Sequence, residues 1–228
     1  MKILAPSATA GARPACDKRP TTRAATRARS GGLRAVFALL AAGAWLATAA
    51  LAEEGATNDW EVLFNGKDLA GWVPVNDVTF AVTNGNLALV KGMGWLRTAK
   101  EYGDFVLELE WRALVPEYDS GIFIRCGAEG KPWPTDGWQV NLRYNALGAL
   151  VRGYKTVVPA ESPKLPVNQW SKLRLEVRGR QVTLDLDGER NWTFDALDRE
   201  RGYLGIQAEN RAFEFRNFRV RPLAPAKQ

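Results

Sequence analysis

Turn-forming residues recur every few positions between Trp60 and Leu223, and the runs between them are short. Asn84-Gly85, Gly92, Gly103-Asp104, Gly127, Gly179 and Asp187-Gly188 separate stretches rich in β-branched, aliphatic and aromatic residues. No long amphipathic helical period interrupts them. This pattern predicts an all-β domain. Pro132-Trp133-Pro134 and the segment from Pro159 to Pro166 read as irregular loops.

Within each run apolar and polar residues alternate, and successive strand side chains point to opposite faces. Phe105, Leu107, Leu109 and Trp111 share one face, against Glu108, Glu110 and Arg112. Ile122, Ile124 and Cys126 oppose Gly121, Phe123 and Arg125. Trp138, Val140, Leu142 and Tyr144 oppose Gln139, Asn141 and Arg143. Leu173, Leu175 and Val177 alternate with a charged face, and Val182, Leu184 and Leu186 lead to a hairpin at Asp187-Gly188. Leu204, Ile206 and Ala208 point inward, with Gly205, Gln207 and Glu209 outward. Strands with one apolar and one polar face pack as two antiparallel sheets in a sandwich. If their polar faces share one surface, Glu108, Glu110, Arg125, Gln139, Asn141, Arg143, Gln207 and Glu209 line a trough.

The chain contains no histidine. Ser-His-Asp triads, His-ligated zinc and His general bases are therefore excluded. Acid–base chemistry falls to Asp, Glu, Lys, Tyr, Cys126 or a bound metal. Cys126 stands in an apolar run and reads as a buried structural thiol. Of the tryptophans, Trp111, Trp138 and Trp170 read as core or rim, and Trp95 and Trp133 as surfaces on which a sugar can stack.

Residues 1–52 read as a cleaved export signal. A basic lead-in is followed by an apolar run from Ala35 to Leu51, and Ala50-Leu51-Ala52 fits the small-x-small cleavage rule. The run is short and Ala-rich for a membrane span. The chain carries 31 basic and 25 acidic residues; the leader holds eight basic and one acidic, so residues 53–228 keep 23 and 24, a net of −1. The overall basicity thus belongs to the leader. No basic stripe marks the remainder for nucleic acid. The expected product is a single periplasmic or secreted domain with no lasting membrane insertion.

Three short signatures occur in order: Leu63-Phe64-Asn65-Gly66-Lys67-Asp68-Leu69-Ala70-Gly71-Trp72, then Asp119-Ser120-Gly121-Ile122-Phe123-Ile124-Arg125, then Phe215-Arg216-Asn217-Phe218. Tyr102-Gly103-Asp104-Phe105 lies between the first two. The ordered set resembles the bacterial 3-keto-disaccharide hydrolase domain. That resemblance implies a concanavalin A-like jelly roll and action on glycosides already oxidised at sugar carbon 3. A ketone there acidifies the C2 proton. A base removes it, the aglycone leaves C1 by elimination, and water adds afterwards. The resemblance also implies a divalent metal as a possible cofactor, with ligands unassigned. The chain departs from the family pattern at Gln139-Val140-Asn141, where relatives commonly carry Glu-x-Gln. It departs again at Ala208-Glu209, where a His often follows the residue matching Gln207. Asp119 stands where Asn is more frequent.

Together these readings nominate Glu209 or Glu110 as base and Arg125 and Lys155 as electrostatic partners. Gln139, Asn141, Gln207, Lys155 and Arg143 are nominated for binding sugar hydroxyls. A non-catalytic carbohydrate-binding module on the same scaffold is the rival reading. An inter-strand ion pair for Glu110 and Arg125, and a merely solvated face for the amides, also stay open. Export makes a direct prediction: N-terminal sequencing of the exported protein should begin at Glu53, and recovery of the apolar run in the membrane fraction would refute it.

Overall fold

The computed structural model describes residues 59–160 and 165–224; the export signal expected over residues 1–52 lies outside them. Among the described residues there is no helix. The strands are β1 (Glu61–Val62), β2 (Trp72–Thr83), β3 (Asn86–Thr98), β4 (Phe105–Ala113), β5 (Gly121–Cys126), β6 (Trp138–Asn141) and β7 (Leu150–Arg152). They continue as β8 (Lys155–Val158), β9 (Ser171–Arg178), β10 (Gln181–Leu186), β11 (Glu189–Phe194), β12 (Tyr203–Glu209) and β13 (Phe213–Pro222). All pairings are antiparallel, in the order β11-β10-β9-β4-β13-β3-β12-β5-β6-β7-β8, with β1 beside β13 and β2 beside β3.

The β3 strand belongs to two leaves. Its residues Leu87 to Leu89 pair with β13, and Met93 to Arg97 pair with β12. The change of leaf falls at Gly92, whose φ is 113° and where a Cβ would strike the Asp77 carbonyl. Asn210 closes the corner. Its backbone N–H donates to the Gly92 carbonyl and its side-chain oxygen accepts from the Gly92 N–H, both at 2.9 Å. One leaf therefore runs from β11 to β13 and the start of β3, the other from the end of β3 to β8. Leu107, Trp111, Leu175 and Phe215 from the first and Ile122, Val140, Leu204 and Ile206 from the second bury into one core. This is the antiparallel jelly-roll sandwich that the alternation and the signatures led to expect.

The predicted faces hold along β4, β6, β9, β10 and β12. Asn84-Gly85 and Asp187-Gly188 form two-residue hairpin turns with both residues at positive φ, as right-handed strand twist requires. In β5 the expectation fails. Tyr203 lies opposite Cys126 and Gly205 opposite Phe123, so β5 carries one extra residue there. Arg125 absorbs it with φ 50°. This β-bulge inverts the alternation beyond Ile124. Cys126 packs with Trp95 and Phe123 on the outer side of its leaf, away from Ile122 and Ile124.

Arg125 is 1% exposed, and all five of its guanidinium hydrogens find acceptors. Nε donates to the Gly103 carbonyl at 3.1 Å, and Nη1 to the carbonyls of Gly179 at 2.6 Å and Arg199 at 2.7 Å. Nη2 reaches Gly103 at 3.0 Å and Asp104 Oδ1 at 2.8 Å. Burial pulls its pKa down while Asp104 holds it up. The trough role expected of Arg125 is therefore replaced by a bracing one.

The first and last signatures form a clasp. Leu63 N–H and Phe64 N–H both donate to the Phe218 carbonyl, at 2.9 and 3.3 Å. Trp72 packs edge-on to Phe218 with centroids 5.2 Å apart and donates from Nε1 to the Leu63 carbonyl at 2.6 Å. Asn65 Oδ1 accepts from the backbone of Lys67 and Asp68, fixing the intervening turn. These residues are scaffold.

Removing the buried guanidinium takes one donor from Asp104 and the side-chain donors from the Gly103, Gly179 and Arg199 carbonyls. Arg125→Met should lower the unfolding free energy by about 3–5 kcal/mol, the scale for breaking a buried ion pair, measured by urea denaturation. An unchanged midpoint would show that those acceptors find other partners.

Candidate carbohydrate site on the second leaf

The outer face of the second leaf is shaped by two missing side chains. Phe123 and Gln139 are direct partners, as are Gly121 and Asn141. Gly121 lacks a side chain, and the Gln139 amide lies over the space; a Cβ there would strike it. Trp95 lies in the same way across Gly205. Trp95 and Phe123 meet edge-on with centroids 5.5 Å apart, and Trp133 covers them, donating from Nε1 to the Ala208 carbonyl at 3.0 Å. Trp95 is fully buried and Trp133 partly so. The expectation that Trp95 offers a sugar-stacking surface is thus corrected: the loop between β5 and β6 folds over it.

Above Gly121 three polar side chains join. Gln139 Nε2 donates to Gln207 Oε1, and Gln207 Nε2 donates to Glu209 Oε2 at 2.7 Å. Ser120 Oγ donates to the Gln207 backbone carbonyl at 2.8 Å, pinning that strand from beside β5. Gln139 and Gln207 are buried, and Glu209 is half-exposed at the end of β12.

Glu209 opens into a cleft of about 590 Å³ that is also lined by Asp119, Arg143, Arg211, Glu117 and Tyr144. Arg143 Nε lies 3.1 Å from Asp119 Oδ2. Burial pushes the Glu209 carboxyl above the ordinary carboxylate range, the Asp119 charge pushes it further, and Arg143 and Arg211 oppose. Asp119 is also raised, mainly by burial, against the same two guanidinium groups. The cleft thus holds two carboxyl groups biased toward protonation beside two fixed cations. It has the parts for taking a proton, giving one, and holding a developing negative charge.

Of the residues nominated from sequence, Gln139, Gln207, Glu209 and Arg143 come together here, and Asn141 shares the Gln139 face. Glu110 does not join them. It stands on the outer face of the first leaf, accepting from Arg216 Nε at 2.7 Å and Asn217 Nδ2 at 2.9 Å. The single trough expected to unite Glu110, Arg125, Gln139 and Asn141 is divided: alternation gives a strand's face but not its leaf. Lys155 is exposed on the edge strand β8, opposite Arg152 and outside the lining of the cleft. Sequence reasoning missed Arg211, which lies in the β12–β13 turn; Tyr144 packs against the core, as alternation assigns it, and also lines the cleft. Cys126 is buried, and burial pushes its thiol far above the ordinary range.

Residues 59–221 match the model of the 3-keto-alpha-glucoside-1,2-lyase-like domain. The chain belongs to that family. No protein of curated description matches the chain. Among solved structures, it is similar to a Parabacteroides distasonis protein classed provisionally as a glycosyl hydrolase, at 21% identity and TM-score 0.60, over 72% of this chain and 94% of that one. It is also similar to the carbohydrate-binding module CBM66 of Bacillus subtilis, at 17% identity and TM-score 0.58, over 66% and 95%. A third is a Bacillus subtilis protein with a galectin-like fold, at 12% identity and TM-score 0.58, over 73% and 96%. At these identities the likeness is one of fold.

A divalent metal, implied by the resemblance, is poorly served by this cleft. A Ca2+ ion takes six to eight oxygen ligands, whereas Mg2+ keeps several waters and uses one or two carboxylates. Among the described residues no group of three or more Asp, Glu, His or Cys side chains is placed to hold one. Arg143 already occupies an Asp119 oxygen. The described residues therefore do not form a ready-made side-chain cage for such an ion.

The packing over Gly121 makes a prediction. Gly121→Ala should displace the Gln139 amide and cost about 1–3 kcal/mol, the range for overpacking. Combining it with Gln139→Ala should cost less than the sum of the two single changes in a denaturation cycle. Strict additivity would show that the two positions do not touch.

Proposed function

We propose that this family member is an exported enzyme that cleaves 3-keto-glycosides at the second-leaf cleft, with Glu209 as the base. The carrying observation is that Glu209 lines one cleft with Asp119, Arg143 and Arg211, at the end of the Gln139–Gln207 amide pair. Glu209 takes the C2 proton. The electrons left on C2 delocalise onto the C3 oxygen, and Arg143 and Arg211 neutralise that enolate. Collapse of the enolate restores the C3 carbonyl, forms the C1–C2 double bond and expels the glycosidic oxygen. Asp119, which lines the same cleft, passes that oxygen a proton as it leaves. Water then adds at C1 and C2 regains a proton, so net hydrolysis follows without the paired displacement of ordinary glycosidases. Asn141, on the same strand face as Gln139, supplies an amide group to ring hydroxyls. Arg143 and Arg211 take the electrostatic part first considered for Arg125 and Lys155.

One observation favours the binding-module reading: Gln139 is an amide where relatives carry a carboxylate, and an amide takes no proton. The two readings separate by assay. Purified protein incubated with 3-keto-trehalose or a 3-keto-glucoside should release the aglycone. Glu209→Gln should retain affinity and lose about 100-fold or more in turnover, the scale for removing a general base, whereas Glu110→Gln should leave turnover unchanged. Saccharide binding without turnover of any 3-keto-glycoside, with or without divalent ions, would establish the binding module instead.

The base must be deprotonated to act, so kcat/KM should rise with pH through an inflection above the ordinary glutamate value of about 4.3. Arg143 holds that inflection down. Arg143→Gln should therefore move it to higher pH, and Glu209→Gln should abolish it. An inflection unmoved by Arg143→Gln would assign it to another group.

A further inference from the structure

The polarity of the amide chain over Gly121 is dictated from one end. An ionised carboxylate only accepts hydrogen bonds, whereas a primary amide has a donating and an accepting side. Because Glu209 Oε2 is the acceptor, Gln207 must turn its Nε2 toward it. The Gln207 carbonyl oxygen then faces Gln139, so Gln139 must offer its own Nε2. Each link fits only if residue 139 can donate. A carboxylate at 139 would leave two acceptors competing for a single NH2 group, and one of them would face the Gln207 oxygen.

We infer that Gln139 is a positioning residue for Glu209: by donating to Gln207 Oε1, it locks the Gln207 amide with its N–H groups toward the Glu209 carboxylate. This deepens, and rests on, the reading of Glu209 as base. Three features support the lock. Both glutamines are buried, so water does not readily replace either partner. The Gln207 backbone is held by Ser120 Oγ at 2.8 Å, which leaves only the side-chain torsions free. Gly121 provides the space in which the amides meet. The amide at 139 thus serves the carboxylate at 209, keeping it ionisable beside Gln207.

The other charged and titratable groups facing Glu209 are Glu117 and Asp119 before β5, Arg143 and Tyr144 after β6, and Arg211 in its own turn. None belongs to the amide chain, so the relay can be perturbed without altering them.

The test is an NMR titration of the Glu209 side-chain carboxyl carbon in the free protein. Gln139→Glu should raise its apparent pKa by about one unit or more, the scale for losing one hydrogen bond to an ionised group, because Gln207 then turns its NH2 group away from Glu209. In a Gln207→Met background the same change should move it much less, because the relay is cut. Gln139→Met, which cannot donate, should raise it in the same direction by a smaller amount and serves if Gln207→Met does not fold. No shift in either residue-139 variant would overturn the inference. So would an equal shift with and without Gln207, which would mark a direct through-space effect. In turnover of a 3-keto-glycoside, Gln139→Glu should move the acid limb of kcat/KM to higher pH and largely restore the rate above it. If the parent turns nothing over, the titration still decides the relay. If the relay fails while the parent is active, the proposed function stands without it.

Discussion

The guanidinium group of Arg125 ties the end of β5 to three separate backbone segments. It reaches the start of β4 through Gly103 and Asp104, the β9–β10 hairpin through Gly179, and the segment before β12 through Arg199. Asp104 Oδ1 in turn accepts from the Gly179 N–H at 2.9 Å. A charge this deep is tolerated only when its hydrogen bonds are all made. Three backbone carbonyls and one carboxylate meet that requirement, and in doing so set where the two leaves join at this end. The bulge that turns Arg125 inward also turns Cys126 outward beneath Trp95. One extra residue thus settles both the brace between the leaves and the floor of the second leaf's outer face.

That floor decides what the site can be. Glycine at 121 and 205 lets a glutamine and a tryptophan lie flat across neighbouring strands. Flat side chains bury polar and aromatic groups that would otherwise stand up into solvent. The chemistry is consequently concentrated at one end, where β12 runs out at Glu209 and the segments before β5 and after β6 bring Asp119 and Arg143. The opposite leaf bears many charges, but there Glu110 is matched by Arg216, Glu108 by Arg219 and Asp185 by Arg190. The cations themselves stack on tryptophan, as Arg216 does on Trp170 with the guanidinium 4.0 Å from the ring.

Much of this was legible in the sequence because a two-residue period is robust where strands are regular. The inward faces of β4, β9, β10 and β12 follow from alternation alone, and Gln207 and Glu209 fall on one side of β12 for the same reason. Alternation is blind at three kinds of place. A bulge shifts its phase, so Arg125 and Cys126 were assigned to each other's faces. It does not say which leaf a strand joins, so Glu110 was drawn into a trough it does not enter. It says nothing of turns or covering loops, so Arg211 was missed and Trp95 was taken for a surface residue. The ordered signatures were informative for a different reason: most of their residues hold the scaffold, through the Phe64–Trp72–Phe218 clasp and the Arg125 brace, while Asp119 alone among them lines the cleft.

The position of β13 has a consequence for how such a chain acquires its structure. The last strand is not at an edge. It lies between β4 and β3, with β1 also on it, and the Phe218 carbonyl receives the first signature. A chain synthesised from its N-terminus therefore cannot complete the first leaf until Phe213–Pro222 has emerged. Until then β4 and β3 each expose an unpaired edge, and the core faces of Trp111 and Leu107 lack their neighbours Phe215 and Val220. Pairings between residues this far apart in sequence form slowly. While residues 213–222 are withheld, the first leaf stays open between β3 and β4, and the chain remains unfinished and extensible.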